Sequence, residues 1–208
     1  MISLRRKQLN ILIKKNLFFL KGKILDVGGK KFTKDIIKKK KIKYFSLNND
    51  KKTKPDFLND VSSIPVKNNY FDTVLMFEVL EYLEDYDSAI KEIKRVLKKN
   101  SYFIFSTPFL IPIHFDKSKD LQRFTEEKIK RICKRNNFKI VKFVQMGSIG
   151  SCLYDLLRIS LTYSSKNKNT ILKSILRILI PLFEFIDLIN KDKKSYINNG
   201  YFVLTKKN

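Results

Sequence analysis

The sequence predicts an α/β protein built on a doubly wound, mostly parallel sheet of seven strands. Short apolar runs that end at Gly, Pro, Asn or Asp alternate along the chain with segments whose apolar residues recur at helical spacing. This alternation is typical of a largely parallel sheet that helices cover on both faces. The chain has 208 residues, enough for a single domain with a sizeable buried core.

The strands are predicted from apolar runs that stop at turn residues. The seven runs are Lys23–Val27, Ile42–Leu47, Phe57–Leu58, Phe71–Phe77, Tyr102–Ser106, Phe138–Val144 and Tyr201–Thr205. Most residues of the fourth run are apolar, so it is the clearest candidate for a strand that is buried on both faces.

Helices are predicted where apolar residues share one face. The N-terminal helix, within 1–21, has the stripe Leu9, Leu12, Ile13, Leu17 and Leu20. A short helix follows the first strand through Ile36–Ile37, and a longer one carries the apolar face of Ala89–Leu97. Thr125 opens a further helix whose first turn is acidic, as suits the helix dipole.

The domain boundaries follow from this order of elements. We predict one domain over 1–208, divided into an N-terminal helix at 1–21, a core at 22–146, a helical insertion at 147–198 and a last strand at 199–208. No repeat, low-complexity tract or linker divides it further.

The second half of the insertion, 171–189, is the most apolar part of the chain. Four charged residues interrupt it, namely Lys173, Arg177, Glu184 and Asp187, and Pro181 is expected to kink it. A transmembrane helix needs about 20 residues with few or no charges, so we expect no membrane span here. Packing against the domain, an interfacial helix and a substrate lid stay open as explanations.

Composition limits the kinds of site. Cys133 and Cys152 show neither metal-ligand spacing nor a disulfide framework, and His114 is the only histidine, so we expect no metal site. Free cysteines fit a reducing compartment, and we therefore expect a cytoplasmic protein, with contact at the inner membrane face through 171–189 as an open alternative. Lys14 and Lys15 interrupt the apolar run that a signal peptide would need.

The net charge of +24 would suit a nucleic acid or an anionic membrane surface as partner. However, the basic residues are spread over nearly every predicted helix and form no arginine-rich patch interleaved with aromatic residues. This distribution favours the compositional bias of an AT-rich genome over a nucleic-acid interface.

Polar residues follow the predicted strands at their carboxyl ends, which is where doubly wound sheets bind ligands. Asp26 interrupts the first strand, and Gly28 and Gly29 come directly after it, so a costly buried carboxylate stands beside a tight turn. An acid in this position suits a ligand that carries an ammonium group. Lys30 follows the two glycines, so the G-x-G-x-x-G fingerprint of dinucleotide-binding proteins is missing.

Three further stretches follow this turn at matching distances, namely Tyr44–Asn48, Leu58–Pro65 and Asn69–Leu83. Together with Lys23–Gly29 they resemble the small-molecule, methyltransferase type 11-like branch of the class I S-adenosylmethionine-dependent methyltransferases. The resemblance covers roughly residues 20 to 145 and the last strand. It implies a Rossmann-like fold with an antiparallel last strand, and S-adenosylmethionine as the cofactor.

The resemblance also implies which residues bind the cofactor. They are Asp26, Gly28, Gly29, Asn48, Asp60, Val61, Phe77 and Glu78. In the family, residues after strand one hold the methionine end, the end of strand two holds the ribose, the acid after strand three binds the adenine, and the corner after strand four borders the methyl group. Two positions depart from the pattern. Lys30 replaces a glycine, and Asn48 replaces an acid and would bind a ribose hydroxyl more weakly.

The loop after strand five resembles the substrate-side loop of methyltransferases that modify cell envelopes and glycans. His114 lies in this loop and is predicted as the general base for a hydroxyl or amine, with a purely loop-fixing role as the alternative. Tyr82, where the family often has histidine, and Arg123 complete the predicted acceptor side. Arg123 is expected mainly to pair with Asp120 or with a carbonyl at a strand end.

The sequence therefore predicts an enzyme that transfers a methyl group to oxygen or nitrogen of a small molecule, a sugar or a lipid-linked glycan. One alternative is an RNA or protein acceptor held by the lysines, although Phe77–Leu80 replaces the Asn/Asp-Pro-Pro-Tyr type of motif common in nucleic-acid amine methyltransferases. The other is a non-catalytic module of the same fold that docks on a membrane or partner through 171–189.

Overall fold

The computed structural model describes residues 3–29, 33, 35, 42–112, 120–163, 170–190 and 196–208. Its helices are α1 (Leu4–Lys15), α2 (Tyr86–Val96), α3 (Glu126–Arg135), α4 (Ile149–Tyr163), α5 (Thr170–Ile178) and α6 (Ile180–Ile189). Its strands are β1 (Lys23–Val27), β2 (Lys43–Asn48), β3 (Phe57–Leu58), β4 (Phe71–Phe77), β5 (Leu97–Pro108), β6 (Phe138–Met146) and β7 (Gly200–Lys207). The predicted helix through Ile36–Ile37 lies outside the described residues.

The strands form one sheet in the order β3-β2-β1-β4-β5-β7-β6. Neighbouring strands from β3 to β5 are parallel, whereas β7 runs antiparallel between β5 and β6. The predicted α/β fold class, with its antiparallel last strand, is thus confirmed. The connections reverse direction at β1, which lies between β2 and β4. Doubly wound sheets bind ligands at the carboxyl ends of the strands beside such a reversal.

The fifth strand is longer than its apolar pattern predicts. It begins at Leu97, which pairs with Phe71, and continues through Pro108. The residues at its start are mostly polar, among them the exposed Lys99 and Asn100. A search for apolar runs therefore misses this part of the strand. The register with β4 shifts between the pairs Phe71–Leu97 and Thr73–Tyr102, so these polar residues lie in an irregular stretch of the strand.

Alternation along the strands divides the core between the two faces of the sheet. Alternate residues of β1, β4, β5 and β7 pack with α2 and α3 on one face. The residues between them, among them Ile24, Leu75 and Phe202, pack on the other face against Leu9 and Ile13 of α1. Asp26 lies two residues after Ile24, so it belongs to the face that α1 covers.

The segment between β6 and β7 forms three helices. Pro181 stands in the first turn of α6, directly after the end of α5, so the expected kink is a break between two helices. Tyr154 of α4 and Phe183 of α6 make an edge-to-face ring contact and share a third apolar cluster with Leu4 of α1. Within the described part of the chain, no helix is both long and apolar enough to cross a bilayer.

Candidate active site

Asp26 is the buried acid at the carboxyl end of β1, with 2% of its surface exposed. The hydroxyl of Tyr44 on β2 donates a hydrogen bond to its Oδ2 atom over 2.7 Å. Burial raises the pKa of Tyr44 far above its usual value, and the negative charge of Asp26 and this hydrogen bond raise it further. The pair is therefore a neutral phenol that donates to a carboxylate.

Gly28 turns the chain directly after β1, with φ at +71° and its N–H bonded to the Leu47 carbonyl at 2.8 Å. A Cβ atom at Gly28 would lie 2.5 Å from Cγ2 of Val79, so only glycine fits against the corner that follows β4. A Cβ atom at Gly29 would lie 3.0 Å from the Tyr44 hydroxyl. The turn after β1 and the corner after β4 therefore touch, with Asp26 between β2 and β4 in the sheet.

Glu78 forms that corner in a strained backbone conformation. Its φ is +58°, a value that non-glycine residues rarely adopt, and its side chain is buried. The Ser106 hydroxyl donates to its Oε1 atom at 3.2 Å, and the guanidinium of Arg5 forms an ion pair with its Oε2 atom. Strain of this kind is held only when the surroundings fix it, and here β5 and α1 supply the contacts.

Arg5 brings a buried positive charge from α1 to this corner. Burial and the neighbouring Arg6 lower its pKa to about 10, against the opposing effect of Glu81, Asp155 and Tyr82. Its Nε atom is buried and donates no hydrogen bond to any described residue. A buried donor is costly to leave unsatisfied, so this Nε–H group favours an anionic partner.

Asp155 of α4 holds α1 in this position. Its carboxylate accepts the backbone N–H groups of Leu4 and Arg5, at 3.1 and 3.3 Å, which are otherwise unbonded donors in the first turn of α1. The same carboxylate accepts the side-chain amide of Asn199 at 2.9 Å. Burial raises the pKa of Asp155, while the hydrogen bonds and nearby arginines oppose that effect.

The ends of β2 and β3 continue the same edge of the sheet. The Asn59 N–H donates to the Asn48 carbonyl at 3.1 Å, which places the two strand ends side by side. The Asn48 side-chain oxygen accepts the Asp50 N–H at 2.9 Å. The exposed Asp60 uses Oδ1 to accept from the backbone and hydroxyl of Ser62, whereas Val61 is buried.

The remaining predicted residues lie in the core, in the turn after the Glu78 corner or in the segment before α3. Phe77 is buried and stacks on Phe202, with ring centroids 6.3 Å apart. Tyr82 is half-buried in the turn that follows the Glu78 corner. Arg123 donates both Nη groups to the carboxylate of Asp120, with Nη2 at 2.6 Å from Oδ2, so the predicted pairing is confirmed.

The segment that contains Arg123 is bonded to the turn after the Glu78 corner. The carbonyl of the buried Glu81 accepts the N–H groups of Leu121 and Gln122 at 3.0 and 3.3 Å. The hydrogen bonds with Asp120 raise the pKa of Arg123 against the effect of burial, and the charge of Glu81 adds to the increase.

Two predicted features lie outside the described residues, namely His114 and the departure at Lys30.

Burial raises the pKa of Cys133 and of Cys152 to about 12, so neither thiol is a ready nucleophile. Among the described side chains, no group of three His, Cys, Asp or Glu residues could hold a metal ion.

Comparison with family models identifies a domain within the chain. Residues 29–105, which make up less than half of the chain, match the model of a methyltransferase domain. A comparison with curated protein sequences finds no match.

Solved structures share the fold of this chain. The [4+2]-cyclase SpnF has a TM-score of 0.65 at 16% identity, over 98% of this chain and 81% of that one. A SAM-dependent methyltransferase from Archaeoglobus fulgidus has a TM-score of 0.63 at 17% identity, over 97% of this chain and 94% of that one. Phosphoethanolamine N-methyltransferase 2 of Haemonchus contortus, in complex with S-adenosyl-L-methionine, has a TM-score of 0.60 at 15% identity. The match covers 97% of this chain and 52% of that one. At these identities the likeness shows the fold alone.

The sequence-based prediction missed three residues of this site, namely Arg5, Tyr44 and Asp155. Tyr44 and Asp155 carry no local signal, because each acts on a residue that is distant along the chain. Arg5 does carry one, since only eight of the 44 basic residues are arginine. In a lysine-rich chain, arginine marks positions that need its planar, multiply donating group.

Proposed function

We propose that this chain is a class I methyltransferase that transfers the methyl group of S-adenosylmethionine to an oxygen or nitrogen atom of a small molecule, a sugar or a lipid-linked glycan. The observation that carries the proposal is the buried Asp26 carboxylate beside the Gly28 turn, at the point where the strand order reverses. A buried carboxylate there favours a cationic group, and the absence of a Cβ atom lets a ligand approach the backbone.

The residues present fit the two ends of the cofactor's amino-acid moiety. Asp26, Gly28 and Gly29 would hold the methionine end, with the ammonium group near Asp26. The buried Nε–H of Arg5 supports a contact with the methionine carboxylate. Both charges of the zwitterion would then be matched by buried groups of opposite sign.

The nucleoside end would lie along the next two strand ends. Asn48 would bind the ribose through its side-chain amide, and Asp60 with the backbone of Val61 would bind the adenine. Phe77 and Glu78 would wall the pocket from the side of β4. Cofactor affinity would depend most on the methionine end, because Asn48 and Asp60 lie nearer to solvent.

S-adenosylmethionine supplies an already activated methyl group on its sulfonium centre. The protein therefore has to hold the acceptor in line with that methyl group and exclude water, and positioning supplies most of the acceleration. We propose that His114 takes the proton from an acceptor hydroxyl or amine, a step worth about 10²–10⁴-fold. Tyr82 and Arg123 would border the acceptor.

We further propose that the enzyme works in the cytoplasm and contacts the inner membrane face through 171–189. Exposed apolar side chains on α5 and α6, among them Ile171, Ile178 and Phe185, support this contact. The net charge of +24 suits an anionic lipid surface.

Calorimetric titration of the purified chain with S-adenosylmethionine tests the proposal. We expect the wild type to bind and Asp26→Ala to bind at least about tenfold more weakly, because a charge-assisted contact contributes roughly 1.5–3 kcal/mol. Glu127→Ala, which removes an exposed acid of α3, serves as the control and should bind like the wild type. A wild type that does not bind at millimolar cofactor contradicts the proposal and favours the non-catalytic docking module.

The charge also motivates a second candidate acceptor, RNA, bound through its phosphates by the lysines. Association with RNA that weakens steeply as salt rises, together with methylation of that RNA, would favour this candidate. Methylation of a small acceptor with no RNA binding would exclude it.

A further inference from the structure

An open groove lies on the acceptor side of the site, with a volume of about 650 Å³. Its walls are Phe109–Pro112 directly after β5, Asp120–Arg123, Ile197 and one face of α4. Leu121 and Gln122 on the second wall bond to the Glu81 carbonyl, so this wall is tied to the turn that follows the Glu78 corner. Its size falls in the range of about 300–1,000 Å³ that is typical of pockets for small molecules.

The lining of this groove is apolar and accessible. Leu110 and Leu121 on the loop walls are 43% and 48% exposed, and Leu153 and Leu156 on α4 are 41% and 45% exposed. Isolated exposed leucines are ordinary on protein surfaces, but four of them around one groove form a contiguous apolar surface. Such a surface is stabilised when an apolar ligand removes it from water.

Among the described residues that line the groove, the charged ones at its polar end compensate each other. Arg123 is neutralised there by the two-point contact with Asp120, whose side chain is fully buried. A phosphate or carboxylate would have to compete with Asp120 for the same guanidinium. The groove therefore favours a ligand with an apolar chain and an uncharged polar end.

We propose that this groove holds the apolar chain of the methyl acceptor. The acceptor is then an amphiphile with an acyl or isoprenoid chain, whose uncharged hydroxyl or amide end lies toward Arg123 and the Glu78 corner. This inference rests on the proposed function, because it names the substrate class of the same site.

Displacement of a fluorescent probe tests the groove. The probe is 1-N-phenylnaphthylamine, which is uncharged and fluoresces in apolar surroundings, and the competitor is 1-dodecanol, with 1-butanol as the short-chain control. We expect dodecanol to displace the probe from the full chain and butanol to fail. Leu156→Gln should weaken dodecanol binding about tenfold, because burial of one leucine against the alkyl chain raises the affinity on the order of tenfold.

Leu157→Gln is the matched control, because Leu157 is the next residue of α4, is 43% exposed and does not line the groove. It should leave dodecanol binding within twofold of the wild type. Leu153→Gln repeats the test on the same wall, and thermal melts check that all three variants fold. Absence of dodecanol binding, or equal loss in Leu156→Gln and Leu157→Gln, overturns the inference.

Titration with S-adenosylmethionine in parallel separates this inference from the proposed function. A wild type that binds the cofactor but not dodecanol overturns the groove inference alone. A wild type that binds dodecanol but not the cofactor supports an apolar-chain site and overturns the proposed function. Asp26→Ala should lose the cofactor and keep dodecanol.

The chain could come from a free amphiphile or from a lipid in a bilayer, and sedimentation with phosphatidylglycerol vesicles distinguishes these sources. Co-sedimentation that Phe185→Glu abolishes, while Phe18→Glu keeps it, supports a bilayer lipid. Both phenylalanines are exposed, at 57% and 86%, but Phe18 lies outside the helical insertion. A chain that binds dodecanol and stays in the supernatant supports a soluble amphiphile.

Discussion

Among the residues of the candidate site, Arg5 has the environment that most favours an anionic ligand. It is buried, its Nη1 atom is paired with Glu78, and its Nε atom donates to no described residue. At the residue scale, a buried cation of this kind is expensive unless each donor finds an acceptor. A bound carboxylate would supply the missing acceptor.

Arg5→Gln should therefore weaken S-adenosylmethionine binding at least about tenfold, the value expected for a lost charge-assisted hydrogen bond. The same substitution should leave binding of 5′-methylthioadenosine nearly unchanged, because that molecule lacks the methionine amino and carboxyl groups. Lys14→Gln removes an exposed charge from the same helix and serves as the control. Calorimetry with both ligands measures the effect, and equal weakening of both would mean that Arg5 acts only through the fold.

At the scale of elements, α1 and the helical insertion are joined by two contacts of different kinds. Asp155 accepts buried backbone donors from α1, whereas Lys7 and Glu184 form an ion pair whose side chains are 45% and 41% exposed. Burial decides which contact matters, because water screens the exposed pair and competes for it. The buried contact should hold α1 over the site.

Asp155→Ala should lower the free energy of unfolding by about 2–4 kcal/mol, because it leaves the N–H groups of Leu4 and Arg5 and the Asn199 amide without their acceptor. Glu184→Ala breaks the exposed contact between the same two parts and should cost less than about 1 kcal/mol. Urea denaturation of both variants measures the difference. Similar losses in the two variants would show that burial is not the deciding factor.

At the scale of the whole molecule, the main electrostatic feature is the net charge of +24. Local pairs such as Lys98 with Asp72 use only part of the positive charge. Hydrogen bonds from Lys98 and the Lys23 backbone lower the pKa of Asp72, although desolvation is the larger single influence and opposes them. The excess charge repels itself and disfavours the compact state.

Raising NaCl from about 20 to 500 mM should therefore raise the melting temperature, because the Debye length falls well below about 10 Å. Each kcal/mol of relieved repulsion should raise it by about 2–4 °C in a chain of this size. Calorimetric scans at constant pH measure the shift, and KCl should act like NaCl if screening is the cause. A melting temperature that falls with salt would show that local ion pairs outweigh the general repulsion.

Sequence patterns alone predicted the fold class, the ends of β1, β3 and β4, and the acid-glycine turn at the candidate site. These features are local, because an apolar run indicates a buried strand and a glycine indicates the turn that ends it. The length of β5 was not predicted, because the residues between Leu97 and Tyr102 are mostly polar and the register with β4 shifts there.

Only the tertiary structure placed Arg5 on Glu78, the Tyr44 hydroxyl on Asp26, and α4 opposite Phe109–Pro112 as the wall of the groove. The bond from Leu4 to Asp155 joins residues 151 positions apart. No local period or propensity encodes such a partner, because the packing of whole elements chooses it. The acid-glycine turn can therefore be predicted from the sequence, whereas the position of Arg5 and the groove proposed for the acceptor depend on how the helices pack around the sheet.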